Sequence, residues 1–330
     1  MASWNQKQWQ QDMAESPRRA GLSSHSSFLD DRAVGFTHVK TPAVDRGLFR
    51  LTGTQDGTQA GRGGSRVVAL PAGRYQRPPQ LAKGLKACHL NHENRDRDNV
   101  RAIDLELDVI THPRNTSAML PVIQARNSGC STKLIYDAEM TWMEAKQGAK
   151  DCMILTTRWD LTSGESKKKI AFPRAFEGEL EVLCWIKDFR FRTWCDTASY
   201  TLDVKASNVT ATGFTAVAKG SRNTQRLTTT WIIHRKGKPK VASGTFRTLG
   251  DGPASNTGRI AFPRGAFIRK PTVLVALSGF DLAGDGDLSI GTYATSVSPG
   301  GFDWHLNTGA DDSREALRSA EGTYIALGFV

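Results

Sequence analysis

Two stretches decide the fold: Ile170-Ala-Phe-Pro-Arg-Ala-Phe176 and Ile260-Ala-Phe-Pro-Arg-Gly-Ala-Phe267, whose starts lie 90 residues apart. A looser version, Val68-Ala-Leu-Pro-Ala-Gly-Arg-Tyr75, begins 102 residues before the first. Further along, a second landmark recurs as Asn208-Val-Thr-Ala-Thr-Gly-Phe214 and Ser296-Val-Ser-Pro-Gly-Gly-Phe302, with aligned glycines 88 residues apart. A third landmark closes each unit: Thr141-Trp142, Thr230-Trp231 and Thr323-Tyr324. Landmarks that keep their order and spacing mark internal repetition. Three homologous units follow, with the first the most diverged.

Between the landmarks the pattern has the period of strands. Glu179-Leu-Glu-Val-Leu-Cys-Trp-Ile186 and Pro271-Thr-Val-Leu-Val-Ala-Leu277 are short apolar runs that follow a turn. Tyr200-Thr-Leu-Asp-Val-Lys-Ala206 and Arg101-Ala-Ile-Asp-Leu-Glu-Leu107 alternate apolar with polar residues, as half-buried strands do. The Thr-Gly-Phe and Gly-Gly-Phe segments supply reversals, since glycine accepts positive φ without steric cost. About six short strands in roughly 85 to 100 residues is the size of a small antiparallel β-sandwich. The expected fold class is all-β: three tandem sandwiches over 47–148, 152–237 and 244–330. The linkers, near Gln147 to Asp151 and Gly237 to Gly244, leave little slack, so the sandwiches are expected to pack on one another. Residues 1–46 are polar, without apolar alternation, and read as a flexible leader; Trp4, Trp9 and Met13 could line a short helix within it.

Composition narrows the function classes. The chain has 330 residues, 39% hydrophobic and 23% charged, enough apolar material for packed cores. No apolar run reaches the roughly 18 residues of a membrane helix, and the polar N-terminus lacks the apolar core of a signal peptide. The expected location is the cytoplasm, or the outside of the cell by unconventional release. Five cysteines, an odd number without Cys-x-x-Cys spacing, argue against a disulfide framework or zinc site. Lys and Arg exceed Asp and Glu by 44 to 33, giving a net charge of +11. The surplus is scattered, densest at Lys167-Lys168-Lys169 and from Arg235 to Lys240, and reads as a solvated basic surface rather than a nucleic-acid groove.

Chemistry-bearing patterns are sparse. No Gly-x-Ser-x-Gly elbow, phosphate-cradling loop or His-Glu-x-x-His is present, so no enzymatic activity is expected. His89 and His92 lack further metal-ligand spacing. Asp281, Asp285 and Asp287 suggest a calcium loop, but their spacing fails the EF-hand pattern. A weak calcium site there is the only cofactor to test. Trp142, Trp231 and Tyr324 recur in one place in every unit, which argues for packing inside the sandwich.

The whole order runs as follows: apolar-Ala-Phe-Pro, a Phe, Pro-x-Val-x-Val-x-Leu, a polar loop, a strand, Val-Ser-Pro-x-Gly-Phe, and a closing strand with an aromatic. It resembles the H-type lectin domain, the sandwich of snail agglutinins and of the C-terminal part of slime-mould discoidins. The third unit fits best, the second next, and the first loosely. The resemblance implies a trimeric building block that binds galactose or N-acetylgalactosamine between neighbouring subunits. It also implies three sugar-holding groups: an acidic loop residue, an Arg on a strand beginning Asn-x-Arg, and a His beside a Trp after the Gly-Phe turn.

Carried over by position, the first unit has Asp56 in the loop and Arg101 in Asn99-Val-Arg101. The second has Asp160 in the loop, Thr201 in place of the Arg, and Trp194 in a loop where this family meets sugars. The third has Asp251 in the loop, Ser289 in place of the Arg, and Trp304-His305 after the turn. No unit holds the full set. Three units on short linkers suggest an intramolecular pseudo-trimer, whose interfaces could combine residues from different units. The expected function is multivalent carbohydrate binding in cell-surface recognition or adhesion, with glycans or glycoproteins as partners and nucleic acid not expected. The alternative is a scaffold that has lost sugar binding and holds protein or polyanionic partners on its basic faces.

Overall fold

A computed structural model describes short strands between residues 36 and 69, the stretches 80–90, 101–110, 118–124 and 135–145, and then 151–161, 164–193, 199–248, 255–283, 288–308 and 316–328. No helix occurs among these residues. The first third of the chain contributes β1 (Phe36–Thr37), β2 (Leu48–Thr52), β3 (Gly63–Ser65), β4 (Val68–Ala69), β5 (Gln80–Leu90), β6 (Arg101–Ile110), β7 (Ala118–Gln124) and β8 (Ile135–Ala145). The second contributes β9 (Cys152–Asp160), β10 (Glu165–Ala171), β11 (Leu180–Thr193), β12 (Ser199–Thr210), β13 (Gly213–Gly220) and β14 (Thr224–Arg235). The last contributes β15 (Val241–Arg247), β16 (Ser255–Ala261), β17 (Thr272–Ala283), β18 (Leu288–Ser298), β19 (Gly301–Asn307) and β20 (Ala316–Leu327). The fold is all-β, as the alternation predicts. One two-residue strand, β1, lies within the stretch read as leader and pairs with the end of β8.

The strands form three antiparallel sheets, and none of them belongs to one third alone. One runs β9-β14-β11 and continues through β6-β7-β3. The next runs β15-β20-β17 and continues through β12-β13-β10. The last starts with β1 and β2 on β8, then β5, and continues through β18-β19-β16. Each third therefore places three strand positions in one sheet and three in another. Its half-sheet joins its neighbour's at a seam: β6 with β11, β12 with β17, and β18 with β5. Since the third seam returns to the first third, the arrangement closes as a ring. The first third has the same strand order as the others, and each seam strand carries a one-residue bulge at the same place, after Leu85, Ile186 and Leu277.

The repeated Phe-Pro segment closes each sandwich at one end. Phe172 enters the core from the end of β10 and meets Phe176 at 5.3 Å and Phe214 at 5.9 Å between ring centroids. Phe262, Phe267 and Phe302 repeat the arrangement at 4.8 and 5.7 Å. Proline follows because it cannot donate to a ladder and so ends the strand. The glycine before each Gly-Phe phenylalanine is required by crowding. A Cβ at Gly213 would stand 2.3 Å from the Ile170 carbonyl oxygen, and one at Gly301 2.1 Å from that of Ile260. Trp142 and Trp231 are fully buried and Tyr324 nearly so. Trp231 packs on Phe214 and Tyr324 on Phe302, each joining the two half-sheets of a sandwich.

A second, separate core fills the centre of the ring. It consists of Ala82, Met143, Cys152, Ile154, Leu183, Trp185, Ile232, Leu274, Ala276, Ile325 and Leu327. These side chains come from the faces of the seam half-sheets that turn away from the sandwich interiors. Gly84, Trp185 and Ala276 hold one equivalent position, each paired with the threonine of the closing landmark, Thr141, Thr230 or Thr323. A Cβ on Gly84 would lie 2.6 Å from the Ala276 Cβ and 2.9 Å from the Trp185 ring. One indole thus occupies space that the other two thirds vacate.

Candidate functional site at the seams

Beyond the bulges the ladders bring polar residues of different thirds together. On β17, Phe280 and Leu282 point into sandwich core, so strand alternation turns Asp281 to the opposite face, the face of the central core. Its ladder partner is Thr201 of the preceding third. The Thr201 hydroxyl donates to Asp281 Oδ1 at 2.9 Å, and the Thr201 backbone N–H donates to Ser221 Oγ at 3.3 Å. The Ser221 hydroxyl donates in turn to the Asn223 side-chain oxygen. The Asn223 amide donates to the Ser199 carbonyl at 3.4 Å. Arg318, the bulged residue of β20, brings a guanidinium nitrogen within 4.0 Å of Asp281 Oδ1. Gly220 N–H to Gly164 O, 2.8 Å, ties the turn beneath. A carboxylate, a guanidinium, two hydroxyls and a carboxamide thus meet at the junction of two thirds. Such groups read vicinal hydroxyls, since carboxylates accept and guanidinium donates in fixed geometry.

The equivalent rows at the other two seams differ in chemistry. Between the first and second thirds, Asp160, Arg226, Arg190 and Asp104 are successive ladder partners across β9, β14, β11 and β6. Directly opposed residues in antiparallel sheets share a face, so Asp160, Arg226 and Arg190 stand in one row, an acid followed by two bases. Arg226 also reaches Asp188 at 3.3 Å one step down the ladder. Burial raises the Asp188 carboxyl above its ordinary value, against the opposing influence of Thr228, Lys187 and Arg226. Between the last and first thirds, the partners are Thr52, Asp137, His89 and Ser289. One position therefore holds Arg190, Asp281 or His89 on one strand, facing Asp104, Thr201 or Ser289 on the other.

This register corrects one of the positional assignments. Thr201 and Ser289 do occupy equivalent places, but their counterpart in the first third is Asp104. Arg101 pairs with Thr193, three residues nearer the end of that seam. Asp160 and Arg101 belong to the same sheet, on β9 and β6, with β14 and β11 between them.

Trp304, carried over as a sugar-binding residue beside His305, lies inside the sandwich. Phe302, Trp304 and Leu306 alternate into the sandwich, and Trp304 stacks on Phe246 at 5.3 Å while filling the space over Gly258. His305 points the other way, to the outer face of its sheet. There it stacks on Tyr293 at 4.5 Å and shares a 2.7 Å hydrogen bond with the Thr295 hydroxyl. It lies on β19, one strand removed from the seam. Asp56, Trp194, Asp251, Asp285 and Asp287 lie outside the described residues.

Asp281, Arg318, Ser221 and Asn223 were not among the site residues expected from sequence. Asp281 drew notice only as a calcium candidate. Among the described residues no group of three or more His, Cys, Asp or Glu is placed to hold a metal ion. No helix among them is long and apolar enough to cross a membrane.

Two segments match the H-type lectin domain family, residues 167–232 and 257–327. They cover β10 to β14 and β16 to β20, the two thirds that meet at the Thr201–Asp281 seam. An H-type lectin domain implies a carbohydrate-binding lectin, and the family is non-enzymatic. No curated protein and no solved structure matches the chain.

Proposed function

We propose that this protein is a multivalent lectin that binds glycans ending in galactose or N-acetylgalactosamine at the seams between its thirds, in cell-surface recognition or adhesion. The observation that carries this reading is the cluster at the seam of the two H-type lectin segments. Asp281 and Arg318 from the last third stand beside Thr201, Ser221 and Asn223 from the second. The guanidinium that the family carries on the seam strand of one subunit is here supplied from the closing strand of the next. We read the first third as a third, diverged copy, since its strand order and bulge repeat those of the others, with units at 47–148, 152–237 and 244–330. Several weak sites on one rigid ring gain avidity through effective concentration.

A glycan-array screen of the full chain, with and without calcium, tests the reading. Clustered binding to galactose-type ends that free sugar competes away, and that Asp281→Ala weakens, is the expected result. A silent array from folded protein would favour the second reading, a scaffold for polyanionic or protein partners. That second reading draws on Thr201 and Ser289, which stand where the family carries arginine. The calcium arm also decides whether the Asp281, Asp285 and Asp287 loop needs a cation.

A further inference from the structure

The end of the ring opposite the seam rows holds a different concavity. β11 spans fourteen residues, with Thr193 paired at one end and Leu180 paired with Arg235 at the other. At about 3.3 Å per residue the two ends are about 40 Å apart. Around the Arg235 end lies a cleft of about 910 Å³, walled by the turn that joins β14 to β15 and by the loop 261–269. Its floor carries His234, Ser243 and Tyr324. The His234 Nδ1–H donates to the Arg235 carbonyl at 3.0 Å, which leaves Nε2 to accept from the Ser243 hydroxyl at 2.8 Å. Burial lowers the affinity of this imidazole for a further proton, so the floor is neutral.

Charge in the cleft is one-sided. Lys236, Lys238, Lys240, Arg264 and Arg269 line it against one carboxylate, Glu181. Lys236 is engaged by Glu179 at 2.7 Å and Glu181 at 3.7 Å, and Lys238 by Asp151. Lys240, Arg264 and Arg269 have no carboxylate partner among the described residues. Lys240 is held at positive φ, 64°, and Gly265 at 78°, so both walls end in tight turns. Beside Arg269, Ile268 is 90% exposed. The corresponding loop of the second third carries Glu177 and Glu179 in addition to Arg174, so it lacks the surplus of cations found here.

We propose that this cleft is a second binding site, for an oligosaccharide bearing sulfate or carboxylate groups, held by Lys240, Arg264 and Arg269. Shape and composition select this class. A concavity of several hundred cubic ångströms suits a few linked sugar rings, whereas a flat bilayer surface or a nucleic-acid duplex does not enter it. Single-stranded nucleic acid binds by stacking bases on exposed aromatics, and the aromatics here, Phe267 and Tyr324, are buried at 6% and 7% exposure. Glu181 and the Ser243 hydroxyl add acceptors and donors for sugar hydroxyls, while the three cations meet the anionic substituents. The site stands apart from the seams and does not depend on galactose recognition there.

Titration calorimetry of the full chain with a heparin-derived hexasaccharide and, separately, an oligogalacturonate hexamer tests this. At least one should bind, with affinity falling about tenfold between about 50 and 300 mM NaCl as screening rises. The triple variant Lys240→Ala/Arg264→Ala/Arg269→Ala should lose at least about tenfold at an unchanged melting temperature. The control Lys167→Ala/Lys168→Ala/Lys169→Ala, which removes as much charge from β10, should bind as the parent does. Which of the two sugars binds identifies sulfate or carboxylate as the recognised group. Absence of binding by both at low salt would overturn the proposal. An equal loss in the control would also overturn it, because the interaction would then follow net charge and not the cleft.

Discussion

The central core and the seam rows are each built from three equivalent positions, and they have diverged in different ways. At the centre, Gly84, Trp185 and Ala276 differ in size yet fit together, one large residue against two small ones. At the seams, Arg190, Asp281 and His89 differ in chemistry, and of the residues they face Asp104 is charged while Thr201 and Ser289 are neutral. The first kind of divergence conserves volume, as a packed interior demands. The second changes what each seam can bind. Covalent linkage makes both available, because a trimer of identical subunits could not place a single indole on its axis or give each interface its own chemistry.

The largest expected effect tests the volume argument. Trp185→Ala removes a fully buried indole from the centre of the ring and should cost about 3–5 kcal/mol, read from denaturant unfolding. Gly84→Ala, next in size, forces a methyl into contact with Ala276 and Trp185 and should cost about 1–3 kcal/mol. Combined as Trp185→Ala/Gly84→Ala, the two should cost less than their sum, since the smaller residue at 185 makes room for the new methyl. Strict additivity would show that the axial positions do not share one space.

The repeats were legible because their cause is local. A Phe that enters the core, a Pro that ends the ladder and a Gly pressed against a carbonyl oxygen each need one residue type at one place. Alternation also shows Phe302, Trp304 and Leu306 pointing inward together, with His305 on the other face. Register across the seams was not legible. The segments that connect the two seam strands of each third, 91–100, 194–198 and 284–287, differ in length, so matching Arg101 by motif missed the equivalent residue, Asp104, by three positions. Ladders and bulges decide that register, and they form between thirds. For the same reason Asp281 and Arg318 escaped notice as partners of Thr201: nothing within one repeat shows what the next one brings to it.

The seam comparison sharpens further by binding. Asp281→Ala should weaken glycan binding at the seam by about tenfold, near 1.4 kcal/mol, by removing the acceptor that Thr201 and Arg318 share. The equivalent change at His89 alters a different seam and should leave the affinity of the Asp281 site unchanged. Equal losses in both variants would mean that the seams do not act independently.

The smallest effect concerns acidity beneath the same seam. Burial raises the Glu321 carboxyl above its ordinary value, and Asp203 across the seam adds to the shift, while the Ser278 hydroxyl at 3.2 Å, Arg247 and Lys205 oppose it. A carboxyl with a folded-state value above its unfolded one binds its proton more tightly when folded. Its stabilising contribution is therefore complete below the unfolded value and is lost as pH rises through the folded one. Glu321→Gln mimics the protonated acid and keeps an acceptor for Ser278. It should raise the melting temperature slightly at pH 7, by no more than a few degrees, and the gain should vanish as the pH falls to the ordinary carboxylate range. A gain that persisted at low pH would point to packing. A loss at pH 7 would show that Arg247 and Lys205 outweigh burial, and the seam would then be held together by its charges instead of in spite of them.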